Sequence, residues 1–406
     1  MPARACAKLT KGHGGYAACE RCTVEGERVK GRTIYPNTDC AFRTDDAFRT
    51  QADQRHHLGE SPLLEIEPKL DMVNSFVLDY MHLSSGVVKR LLLHWLLGSN
   101  KIRLDQRRKR ILSRRMVMLR KSIPDEFQRK PRSTYYVKYW KSTEFRFFLL
   151  YCGPIVLKTI LTKKHYKHFL LLHTAFRILC SELFKRYNEF ANLYLRSFSK
   201  TLPFFYAPED QVLNMHNLIH IVDDVMNMNC NLNFISCFPF ESFLGKLRNL
   251  IRTPNNPLSQ VCRRLQEGKD FYVKRPETLR EFKIVKQQIG GLTERTIINK
   301  LKINDAFIIT TKKPNNIVIL KDETIVAIRA IFTSSDQNFQ IKGKILIKRD
   351  DYYTYPTKSS KLGIWKAEEF SVKQHMFNAD LIKHKCIKLI LNEFGRRNVF
   401  ILCLLH

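Results

Sequence analysis

Gly14-Gly15-Tyr16-Ala17-Ala18-Cys19-Glu20-Arg21-Cys22 and, far downstream, His216-Asn217-Leu218-Ile219-His220 are the stretches whose reading decides how this chain folds. A Cys-x2-Cys pair grips one metal ion from a tight turn, and glycines just before it suit such a knuckle. Two histidines four apart lie one helical turn apart on the same face, where both imidazoles reach one ion. The halves stand about two hundred residues apart. A compact zinc finger would bring its histidines within about 12–15 residues. The spacing therefore predicts a Cys2His2 zinc staple clamping two distant segments of a larger domain, with Cys19, Cys22, His216 and His220 as ligands.

The composition sets the frame. At 406 residues, with 44% hydrophobic and 11% aromatic content, the chain has material for a large core and two or three domains. Its charge is unusual: 69 Lys+Arg against 38 Asp+Glu leave +31. Such an excess points to a polyanionic partner, most simply nucleic acid. Eleven cysteines without a secretory start fit a reducing, intracellular setting. The most apolar stretch, 145–161, is interrupted by Arg146, Gly153-Pro154 and Lys158, so it reads as buried helix and excludes a membrane span. No GxGxxG, P-loop, GxSxG or internal repeat is present, and nothing indicates a small-molecule substrate.

Residues 63–95 and 140–228 carry helical apolar periodicity. Asp79 and His82, three apart, predict a hydrogen-bonded structural pair. Asp223-Asp224, after His220, reads as a solvated edge, and Arg55-His56-His57 as a solvated loop. Glu144 reads as a helix-start residue. Pro239 opens a helix that carries Glu241 in its first turn, where a carboxylate complements the helix dipole. The densest positive stretch spans 101–132. Its Arg107, Arg108, Lys109, Arg110, Arg114, Arg115, Arg129, Lys130 and Arg132 are candidate phosphate contacts, and its first cluster also suits a nuclear address.

Beyond residue 270 the texture changes. A polar bridge, 271–300, leads into alternating segments at 306–310, 317–320, 324–332 and 338–347, separated by turn-forming residues. These predict a small barrel or sandwich over 301–390, with 391–406 left as a tail.

Five motifs occur in order: Pro2-Ala3-Arg4-Ala5, the Gly14-to-Cys22 knuckle, Leu78-Asp79-Tyr80-Met81-His82, Gly86-Val87-Val88-Lys89-Arg90-Leu91-Leu92 and Phe238-Pro239-Phe240-Glu241-Ser242. Together they resemble the CACTA/En-Spm and Chapaev-like transposases, a group related to the catalytic subunit of the V(D)J recombinase. The resemblance covers residues 2–270. It implies an RNase H-like core in which two Asp and one Glu hold two divalent ions for strand cleavage and joining. A mostly helical insertion, braced by zinc on Cys-x2-Cys and two His, separates the second Asp from the Glu. Carried over, Cys19, Cys22, His216 and His220 take the zinc, and Glu241 takes the third-carboxylate role.

In that family the second Asp stands just before Pro-Ala-Arg-Ala, where this sequence has Met1. The expectation is therefore a mainly α chain, a partial RNase H-like transposase core (1–270) with its zinc-braced helical insertion, followed by a small β-rich C-terminal domain. Zinc is structural, and Mg or Mn enters only if the missing Asp residues are supplied. The expected function is that of a transposon-derived, catalytically inactive, zinc-binding nuclear protein that binds DNA. Two alternatives stand beside it: a fragment of a longer active Mg-dependent DDE transposase, or a domesticated basic protein binding nucleic acid or chromatin.

Overall fold

Short polar side chains set the helix starts. Asp79, Asp105 and Thr162 each accept backbone N–H bonds from the first turn of the helix they precede, leaving fewer orphan donors. The computed structural model describes residues 2–99, 101–271, 282–288, 296–303, 307–333, 338–393 and 395–405. In chain order its α-helices are α1 (Pro2–Ala7), α2 (Asp45–Arg49), α3 (Tyr80–Leu97), α4 (Gln106–Met118), α5 (Ser142–Phe147), α6 (Gly153–Leu157), α7 (Lys163–Leu179), α8 (Asn188–Phe205), α9 (Leu213–His216), α10 (Ile221–Asn227), α11 (Phe238–Asn249) and α12 (Pro257–Phe271). A small hairpin, β1 (Glu27–Val29) with β2 (Arg32–Ile34), follows the cysteine knuckle.

The centre of the helical part is α7, buried almost all round from Tyr166 to Leu179 and packed on α8. Between α5 and α6 the chain takes one wide π-helical turn, Phe148–Cys152. That geometry frees carbonyls from the α-helical ladder, and α7 collects them: His173 Nδ1 pairs with the Leu149 oxygen at 2.6 Å, and Arg177 Nη1 donates to the Leu150 oxygen at 3.0 Å. The interrupted stretch at 145–161 is thus buried helix, as its breaks imply. Residues 63–79 are mostly irregular, so regular helix starts only at Tyr80. Among the described residues, no helix is long and apolar enough to cross a membrane.

The C-terminal part is antiparallel sheet: β3 (Phe282–Gln288), β4 (Thr296–Ile303), β5 (Phe307–Thr310), β6 (Ile317–Leu320), β7 (Ile325–Thr333), β8 (Phe339–Asp351), β9 (Ile364–Phe370), β10 (His375–Asn378), β11 (Ile382–Glu393) and β12 (Arg396–Cys403). Pairings β6–β7, β7–β8, β8–β9, β9–β12, β12–β11 and β11–β6 return to their start, closing a ring of six strands. Each ring strand gives side chains to one enclosed cluster, among them Ile319, Ala327, Leu346, Trp365, Cys386 and Ile401.

Two sequence boundaries need correction. The expected polar bridge, 271–300, contains β3 and the start of β4. The expected tail, 391–406, contains the end of β11 and all of β12, an interior strand of the ring. The reason is double burial. On β11, Ile387, Leu389 and Leu391 leave the ring and join the helical core, as do Phe400 and Leu402 of β12, while Cys386 and Ile401 face inward. Strands buried on both faces lose the alternation by which a strand is recognised. The sheet is therefore no separate appendage: one apolar core runs from α3 through α7 into β11 and β12.

Candidate metal centre

The cysteine knuckle is held before any ion is considered. Arg43, buried, donates from Nε to the Cys19 carbonyl at 2.9 Å and from Nη2 to Asp53 at 2.9 Å. Tyr35 donates its hydroxyl to the Gly15 carbonyl, and its backbone N–H to Gln211, just upstream of α9. The hairpin thus carries the knuckle to the segment that bears the histidines. That segment is not one continuous helix: α9 ends at His216, a 3-10 turn covers Asn217–Ile219, and His220 precedes α10.

All four expected ligands are buried, and their donor atoms lie within 4.8 Å of one another. Sγ of Cys19 and Cys22 are 3.6 Å apart, and Nε2 of His216 and His220 are 3.2 Å apart. The cross pairs are Cys19–His220 at 3.6 Å and Cys22–His216 at 3.2 Å. A tetrahedral ion with bonds of about 2.3 Å to sulfur and 2.0 Å to nitrogen requires edges of roughly 3.8 Å (S–S), 3.3 Å (N–N) and 3.5 Å (S–N). The donor set therefore fits one four-coordinate metal ion. Without an ion, burial opposes charge at Cys19, but hydrogen bonds from Cys22 and the histidines outweigh it and lower its pKa; the hydrogen bond to Cys19 and burial raise that of Cys22. A cation would replace this shared-proton arrangement. Among the described residues no hydrogen bond is made by Nδ1 of either histidine; Asp223 stands 3.8 Å from that of His220.

Sequence reasoning missed the polar lock beside the ligands. Arg21, between the cysteines, is buried and donates to the carbonyls of Val73 (2.7 Å) and Phe76 (2.8 Å) and to the Asp224 carboxylate. Asp224 also accepts the Leu78 N–H at 2.7 Å. Burial raises the Asp224 pKa, with Arg21 opposing it. Asp224 is thus no solvated edge: it is buried because its partner lies about two hundred residues away in sequence. His56 and His57 are likewise buried, His56 through a 2.7 Å bond to the Ala17 carbonyl, and burial lowers its pKa to about 4. A lone arginine inside a Cys-x2-Cys pair was the available signal for the lock.

Asp79 and His82 form the expected pair. Asp79 accepts the N–H groups of Met81 and His82, bonds the His82 ring, and takes the Cys237 N–H at 2.9 Å. It therefore caps α3 and pins the start of α11. Glu241, in the first turn of α11, is exposed and lines a cleft of about 970 Å³ with His82, Glu126, Arg129, Arg146 and Arg248. The other carboxylate there, Glu126, binds Lys385 at 2.7 and 2.9 Å. Glu144 caps α5 as expected and holds Arg132 through two 2.7 Å bonds.

The basic candidates divide. Arg107, Arg108, Arg110, Arg114, Arg129 and Lys130 are exposed, and Lys109 is half-buried. Arg115 must be withdrawn as a phosphate contact. It is buried, bonded to both oxygens of Glu393 (2.8 and 2.9 Å) and to the carbonyls of Val156 and Lys158. It falls on the inward face of α4 with Leu112 and Met116. Arg132 is committed to Glu144.

With this geometry in hand, comparison with known families gives one match: residues 283–402 fit the family described as a domain of unknown function, DUF8592. The match spans nearly the whole sheet and stops short of the metal centre. Neither curated proteins nor solved structures give a match.

Proposed function

We propose that this chain is a zinc-stapled, nuclear, DNA-binding protein of the CACTA/Chapaev-like transposase lineage, with an RNase H-like ancestry for its N-terminal part. The observation that carries the reading is the meeting of Cys19, Cys22, His216 and His220 in one buried cluster. The family resemblance assigns zinc to these four positions, the same four that the spacing of the two pairs suggests. Two thiolates and two imidazoles in a closed, buried site are the donor set of a structural zinc. Net charge of +31 and the exposed arginines of α4 support a nucleic-acid partner. On this reading Glu241, exposed in the first turn of α11, is the vestigial third carboxylate of a catalytically inactive chain.

Elemental analysis of the purified protein, with Cys19→Ser and His220→Ala beside it, tests the staple. One zinc per chain, lost in both variants, is expected; folded wild type without zinc would defeat it. DNA binding is tested by titration from about 50 to 200 mM salt, where six phosphate contacts predict a loss of about 10³-fold. An affinity flat in salt would overturn the nucleic-acid half.

A further inference from the structure

A second cleft, of about 770 Å³, lies where α4 meets the sheet. One wall is a single stripe of α4 and the turn after it: Arg110, Arg114, Val117 and Lys121, spaced by four, three and four residues. The facing wall is Lys388 and Asn392 of β11 with the Lys313-Pro314 turn. Five cations thus line the cleft and no carboxylate does. The neighbouring acids are bound elsewhere: Glu393 holds Arg115, Glu126 holds Lys385, and Asp125 accepts from Asn315 at 3.0 Å. Arg115 of α4 on Glu393 of β11 ties the two walls together, and Lys385, donating to the side chain of Asn315 beside the Lys313-Pro314 turn, ties the parts of the facing one. Among the described residues none of the five cations has an ion pair, and burial together with Lys313, Arg397 and Arg329 lowers the Lys388 pKa to about 8.

The rest of the lining is not that of a surface for duplex DNA. Val117, Met118, Pro314 and Ile390 give an apolar floor, and Tyr135 stands at the edge, 65% exposed, with Tyr136 and Tyr139 exposed beside it. Asn316 is 98% buried, and its Oδ1 has no hydrogen-bond partner among the described residues. A cleft of this size takes a small ligand or one or two nucleotides and excludes a double helix. Cations for phosphates and aromatic faces for bases are the parts that single-strand sites combine.

We propose that the α4–sheet cleft binds single-stranded nucleic acid, its phosphates between the α4 arginines and Lys388 and a base against Tyr135. This deepens the nucleic-acid half of the reading above and rests on it.

Fluorescence anisotropy with a labelled ten-nucleotide oligothymidylate tests it, with a duplex of equal length and inorganic polyphosphate as parallel probes. The proteins are wild type, Arg114→Gln/Lys388→Gln, Tyr135→Ala, and Lys163→Gln/Lys164→Gln, two exposed lysines at the start of α7, as a charge-matched control outside the cleft. Unchanged zinc content and melting temperature show that each is folded. The expected result has three parts. Wild type prefers the single strand, and Arg114→Gln/Lys388→Gln weakens it at least tenfold while lowering the log–log salt slope by about 1.4. Tyr135→Ala weakens the oligonucleotide about tenfold and leaves polyphosphate unchanged. The control pair changes single-strand affinity less than threefold. Wild type that binds DNA, with cleft variants equal to it, overturns the cleft and leaves the general reading standing. Preference for the duplex does the same. Equal binding of polyphosphate with no Tyr135 effect reduces the cleft to an anion trough and overturns the base contact. Wild type that binds none of the probes overturns both proposals.

Discussion

Two long-range junctions hold this molecule together, and they are built on opposite principles. At the first, the segment 2–79 meets α9 and α10, and apolar material is scarce. Its clusters are small: Ala18, Cys19, Cys22, Val24, Tyr35 and Leu213 in one, Phe48, Met72 and Val73 in the other. Polar groups do the joining there, the clustered Cys19, Cys22, His216 and His220 side chains and the buried Arg21–Asp224 pair. At the second, the helices meet β11 and β12 through one large apolar core, to which the buried cations Arg177, Arg115 and Lys385 add polar bonds. A junction without a core needs strong, directional bonds between few groups; a junction with one tolerates the loss of any single bond.

The largest expected effect separates the two directly. A structural zinc contributes roughly 10 kcal/mol of binding free energy. Chelation, or Cys22→Ser, should therefore release 2–79 and the α9–α10 segment while the sheet stays folded. Hydrogen exchange read by mass spectrometry checks this. Equal loss of protection in β11 and β12 would break the comparison.

Arg177→Met comes next. Arg177 is fully buried and donates to the carbonyls of Leu362, Leu150 and Cys403 at 2.7–3.0 Å. Gly363, at φ +68°, lets the chain turn beside Cys403 where a Cβ would be crowded at 3.0 Å. Leaving these carbonyls unpaired should cost about 3–5 kcal/mol in denaturant unfolding, without affecting zinc content. Loss of zinc as well would show the junctions to be one cooperative unit.

Acid should act on the second junction through α7. Burial lowers the pKa of His168 to about 4 and that of His173 to about 3, below the usual value near 6.5. Both are neutral when folded, so the unfolded chain binds more protons below pH 6.5. Stability is complete above that pH and declines as pH falls towards 4 and 3, by at most about 1.4 kcal/mol per pH unit for each histidine. Melting temperature measured between pH 7 and 4 reads this, and His173→Gln should flatten the decline. The smallest effect belongs to Arg132→Gln: with its side chain 38% exposed, loss of the Glu144 pair should cost no more than about 1 kcal/mol.

The sequence made the Cys19, Cys22, His216 and His220 cluster legible because each half is a short local pair, although the histidines lie across a 3-10 turn and not on one continuous helix. The lock beside them was not legible, since Arg21 and Asp224 are ordinary charges until the fold buries both. Arg177 and Lys385 escaped for the same reason, with backbone carbonyls and distant side chains as partners. Strands β5 to β8 could be read from short apolar runs set between turn-forming residues, even though β6 is buried at every position, whereas β11 and β12, with Leu389 and Ile401 buried on opposite faces, read in part as a tail. Helix α4 was half legible. Its cations were plain, but only the packing of Leu112 and Met116 shows that Arg115 points inward while Arg110 and Arg114 face a cleft.

The split ligand set has a kinetic consequence. On the zinc proposal each half would be a bidentate chelator, so an unfolded chain in zinc would hold two grips 194 residues apart between Cys22 and His216. Their mutual effective concentration in that state lies well below the millimolar range of short tethers. Above it, the cysteine grip of one copy meets the histidine grip of another before it meets its own. Refolding at high protein concentration should then yield zinc-bridged, exchanged dimers, and dilution before metal addition should yield monomers.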